Sequence, residues 1–162
     1  MKFDPLVDYG LLDLNLEHNL VCWKFGELIK TLITLSSNAE RQKEIIGAGV
    51  VTDEMAEDFH NYFTSSVAEY IDNKLLDEVA IKKLSMLDNF LDERSDSKDP
   101  KFWDDTLLSV NSDWQFVRRE AKEILKLLKF DYIDLDFERT EKYEGPKLIL
   151  HKTRTRLIKK LI

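Results

Sequence analysis

Apolar residues recur at helical spacing along most of this chain, and the period changes only near its end. Between His18 and Leu35 the positions Val21, Phe25, Leu28, Leu32 and Leu35 share one face, widened by Leu20, Ile29 and Ile33. That is the stripe of a core-facing helix, interrupted only by Gly26 at a cost of about 1 kcal/mol relative to alanine. Ser37 and Asn38 are N-cap residues for a short helix, Ala39 to Ile46, that Gly47 stops. A second long helix is expected after Thr52. Asp53, Glu54, Glu57 and Asp58 place negative charge in its first turns, where the helix carries partial positive charge. Phe59, Tyr62, Phe63, Val67, Tyr70 and Ile71 form its aromatic-rich inner stripe.

A third helix follows Asp77, with Ala80, Leu84, Leu87 and Leu91 in register and Val79 and Phe90 beside them. The polar stretch DERSDSKDP (92–100) predicts its end and a loop. Pro100 opens a short turn carrying Phe102 and Trp103. Ser112 with Gln115 reads as a capping box, starting a helix to about Lys129 with Trp114, Val117, Ala121, Ile124, Leu125 and Leu128 inward. Beyond Phe130 the period falls to two. Ile133, Leu135 and Phe137 alternate with Asp134, Asp136 and Glu138, as in a half-buried strand. Glu144–Gly145–Pro146 is a turn and KLILHKTRTRL (147–157) a second strand. The pattern, with residues 1–15 irregular, predicts an α-dominated α+β fold in a single domain, 1–162. A helical bundle of four to five helices (about 16–130) precedes a C-terminal β-hairpin (about 131–157).

Composition sharpens this. Only 5 glycines and 3 prolines occur in 162 residues, too few for a turn-rich all-β architecture. The single Cys22 excludes a disulfide within the chain and a cysteine-based zinc cluster. The net charge is −7, yet Lys147–Ile162 holds six bases and no acid, leaving 18 bases against 31 acids, a net of −13, in Met1–Pro146. An acidic body disfavours nucleic-acid binding. The start, MKFDPLVDYG, has acids and a proline where a secretory signal needs an apolar stretch. No apolar run approaches a bilayer span. A cytoplasmic location without membrane contact is therefore expected.

Candidate chemistry is sparse. IIGAGVV (45–51) has glycines at 47 and 49 but Thr52 where a dinucleotide fingerprint needs a third small residue, and a turn between helices accounts for it better. Glu57-x-x-His60 has the spacing by which helix bundles offer carboxylate and imidazole to a di-metal site. Neither His18 nor His151 follows an acid at that spacing. A small helical metal-binding protein or enzyme using Glu57 and His60 is thus the alternative reading. Cys22 and His18 are four apart on one helix, without an orienting third group. No catalytic residue, cofactor or metal site is assigned. In the hairpin, Asp134, Asp136 and Glu138 are expected beside Arg156, Arg154 and Lys152, as cross-strand pairs. Contact of the basic end with nucleic acid is a third reading.

The stretches IIGAGVVTDEMAEDFHNYFT (45–64) and LLSVNSDWQFVRREAKEILKLLKFD (107–131) resemble small bacterial immunity proteins, the cytoplasmic partners of polymorphic or contact-dependent toxins. The resemblance lends no catalytic residue to any position. It implies a non-enzymatic binder that occludes a cognate protein toxin, often a basic nuclease, through a charged face. Acids beside an aromatic anchor suit such a contact, and the candidates are Asp92, Glu93, Asp96, Asp99, Trp103, Asp104 and Asp105.

Overall fold

The stripe between His18 and Leu35 is the inner face of α1 (Glu17–Ser36), whose Val21, Phe25, Leu28, Ile29, Leu32 and Leu35 are all buried. The structure is a computed structural model and describes residues 2–97 and 99–161. α2 (Ala39–Ile46) starts where the Asn38 side chain accepts from the Arg41 N–H at 2.9 Å, and ends at Gly47, φ +76°. Only glycine adopts that conformation without strain. A Cβ there would also lie 2.5 Å from the Arg139 guanidinium.

The helix expected after Thr52 is instead in pieces: α3 (Val51–Phe59), a π turn (His60–Thr64) and α4 (Val67–Asp72). The wider turn displaces carbonyls from the regular ladder. Side chains take two of them, the Ser66 hydroxyl donating to Asn61 O at 3.2 Å and the Tyr70 hydroxyl to Tyr62 O. α3 begins at Val51 because a distant carboxylate caps it. Asp105 accepts from the N–H groups of Val51 and Thr52 at 2.8 and 3.0 Å. Replacing Asp105 by alanine is therefore expected to destabilise the fold by about 1 kcal/mol. A urea titration would register it as a lower midpoint at unchanged slope, with Asp105→Asn closer to the parent.

α5 (Glu78–Ser97) continues through most of the polar stretch expected as a loop. Arg94 holds this last part. Its guanidinium lies 3.3 Å above the Phe90 ring centroid, bonds Phe90 O and reaches Asp113 at 3.1 Å. The Trp103 indole N–H donates to Arg94 O at 3.3 Å. Asp92, Glu93 and Asp96 are thus helical, not loop, residues. α6 (Ser112–Leu127) is capped by Asn111 rather than by Ser112, the Asn111 side chain accepting from Asp113 and Trp114.

The hairpin of β1 (Ile133–Glu144) and β2 (Lys147–Lys159) begins and ends two residues later than expected, and its register differs by two. Gly145 (φ +61°) and Pro146 make the turn, and an irregularity at Lys142/Tyr143 shifts the pairing. Asp136 therefore faces Arg156, at 3.3 Å, and Glu138 faces Arg154. Asp134 pairs with Arg41 on α2 at 2.9 Å. Ile133 and Leu135 are buried against the helices, while residues 140–150 are exposed throughout. Three cations fasten the two parts. Lys30 donates to Thr155 O at 3.0 Å, Arg41 to Leu135 O at 2.7 Å and Arg139 to Ile45 O at 3.2 Å. The architecture is helix-dominated α+β, ending in a two-stranded antiparallel hairpin. Among the described residues no helix is long and apolar enough to cross a membrane.

Candidate partner-binding groove

Asp53, Ala56 and Glu57 on α3, and His60 at the start of the π turn that follows it, have the i, i+3, i+4, i+7 spacing that brings side chains onto one helix face. Asp88, Leu91, Asp92 and Ser95 repeat the spacing on α5. The two ridges and Trp103 enclose a groove of about 580 Å³. Phe59 and Leu91 are buried beneath it, and Trp103 is half-buried. Four carboxylates line it and, among the described residues, no lysine or arginine does. Asp88 accepts from the Thr64 hydroxyl at 2.7 Å, which ties the groove to the π turn. Burial raises the Asp92 carboxyl above the usual range, and the charges of Asp88 and Asp96 add to this while His60 opposes it.

Of the residues singled out from sequence, Asp92 and Trp103 line the groove, and Asp96 acts on Asp92 through its charge. Glu93 is exposed beside Arg94, at 3.7 Å, outside the lining. The remaining acids shape their own chain. Asp99 accepts from the Lys101 N–H at 3.0 Å and Asp105 caps α3. Asp104 accepts from the hydroxyl and N–H of Thr106, bonds that hold its carboxyl below the usual range. Glu57 and His60 belong to the groove. No group of three or more His, Cys, Asp and Glu is placed to hold a metal ion among the described residues. Asp53 and Asp88 were missed. Their signal was the shared polar-face spacing on two helices, not any local motif.

Cys22 and His18 approach to 3.9 Å, and burial pushes the thiol up, opposite to what thiolate chemistry requires. A second cleft, about 490 Å³, lies between the hairpin and the helices, with Glu27, Lys30, Glu54, Asp58, Tyr62 and His151 among its walls. Lys30 neutralises Glu27 at 2.8 Å. Asp58 is pushed up to about 6 by burial first, then by the charges of Glu54, Glu27 and Glu57. A carboxyl whose folded value lies above its unfolded 3.8 favours the fold when protonated. Its penalty is absent below about pH 4, grows as pH rises through 6 and is complete above that. Asp58→Asn is therefore expected to stabilise the protein at pH 8 by about 1–2 kcal/mol, after allowing for solvent screening. The gain should vanish at pH 4, as thermal melts at the two pH values would measure.

No family model, no curated protein and no solved structure matches this chain.

Proposed function

We propose that this chain is a non-enzymatic binding protein that receives a basic protein partner on the α3–α5 groove. It would act as a bacterial immunity protein does, occluding a cognate toxin in the cytoplasm. The observation that carries this reading is the groove itself, with four carboxylates, no lining lysine or arginine among the described residues, and Phe59 buried beneath. The wider charge distribution supports it. Residues 1–130 hold 25 acids and 16 bases, whereas 131–162 hold 6 acids and 8 bases, so the negative excess belongs to the helices. A cleft of one sign raises the encounter rate of an oppositely charged partner, and a half-buried tryptophan at its edge is a common anchor.

The test is co-expression with the neighbouring gene, followed by size-exclusion chromatography and a growth assay. A stable complex that restores growth, and weakens as salt is raised, is the expected result. Absence of a complex together with absence of growth rescue would overturn the proposal.

A further inference from the structure

A cavity of about 280 Å³, separate from the groove, opens between the N-terminal segment, α1 and β2. Phe3, Leu6, Val7, Leu11 and Trp23 give it apolar walls, and Leu6, Val7 and Leu11 remain exposed. Arg154 and Arg156 also line it, with side chains 62% and 64% exposed. Among the described residues Arg154 pairs with Asp8, at 3.8 Å, and Arg156 with Asp136, at 3.3 Å. Each guanidinium has five N–H donors, so most of the two forks is left to solvent. The other lining acid, Glu27, is neutralised by Lys30.

Gly26 supplies the independent observation. It sits within a 20-residue helix, where glycine is less favourable than alanine. Its φ is not positive, and a Cβ would meet only the Phe3 ring, at 3.8 Å, an ordinary contact. Neither packing nor backbone conformation demands glycine here. What its missing side chain does is keep the wall of this cavity bare.

We propose that the cavity binds a small anionic amphiphile, a carboxylate on a short apolar chain. The carboxylate is taken by the Arg154 and Arg156 forks, whose planar donors match it. The chain lies over Gly26 against Trp23 and Leu11, in the apolar setting that small-molecule sites favour.

Octanoate is the probe, followed by calorimetry and by the amide resonance of Gly26. One-site, saturable binding is expected, with octanol and octylammonium about tenfold or more weaker, as loss of a charge-assisted contact implies. Arg154→Gln with Arg156→Gln should weaken octanoate about tenfold. Gly26→Leu should fill the space and abolish binding. Three results would each overturn the proposal: no saturable shift of the Gly26 amide, equal binding of octylammonium, or capture by anionic phospholipid vesicles without octanoate binding. Should Gly26→Leu fail to fold, the exposed arginine variants decide the matter alone.

Discussion

Trp114→Ala is expected to lower the free energy of unfolding by about 3–5 kcal/mol, the range for removing a large aromatic from a packed core. Trp114 is fully buried on the inner face of α6, with Val117, Ala121 and Ile124 continuing the stripe. Its indole N–H donates to Phe102 O at 2.7 Å, and its ring lies 4.4 Å from that of Phe102. Alanine would leave both a large void and an orphaned buried carbonyl. Trp114→Phe retains most of the volume and loses the bond, so it should cost about 1–2 kcal/mol. Urea titrations followed by circular dichroism separate the two, since both variants lower the midpoint at a similar slope. Phe102 in turn packs against Trp103, ring to ring at 4.8 Å. The alanine variant should therefore also loosen one wall of the groove.

Reversing the groove charge is the second large effect. Asp53→Lys, Glu57→Lys and Asp92→Lys together should slow association with the basic partner about 100-fold and remove most of its salt dependence. The three side chains are exposed, so the core is untouched. Loss of acids near the start of α3 should cost no more than about 1 kcal/mol of stability. Stopped-flow association rates at two salt concentrations provide the measurement. Glu93→Lys is the matched control, being helical and exposed but outside the lining. Equal slowing by the control would remove the groove from the interface.

What could be read from the chain divides along the range of the interactions. The inner faces of α1 and α6 were legible because a 3.6-residue stripe is a local property, and the switch to period two marked the hairpin equally well. Interruption of the second long helix was not. Phe59 and Phe63 satisfy the helical stripe whether or not the turn between them is widened, and the carbonyl acceptors are served by Ser66 and Tyr70 further along. The start of α3 depends on Asp105, 54 residues away. The end of α5 depends on Arg94 and its reach to Asp113, which outweighs a loop-like composition. Hairpin register differs from the expected pairing by two, one step from the two-residue turn Gly145–Pro146 and one from the irregularity at Lys142/Tyr143, which has no glycine or other local marker. Site acids followed the same rule. Asp92 and Trp103 were found from composition beside an aromatic, whereas Asp53 looked like a helix-start charge until α5 was seen to lie across from it.

The fastening of the hairpin has a dynamic consequence. Its three cation–carbonyl ties span 125, 94 and 94 residues of chain, and only Ile133 and Leu135 of its strands are buried. A unit held by so few desolvated contacts opens at a lower free energy than the helices it rests on. Backbone amides of β1 and β2 should thus exchange deuterium together and ahead of those in α1 and α6. The molecule would then pass through a state in which the helical body persists while the strand pair swings clear.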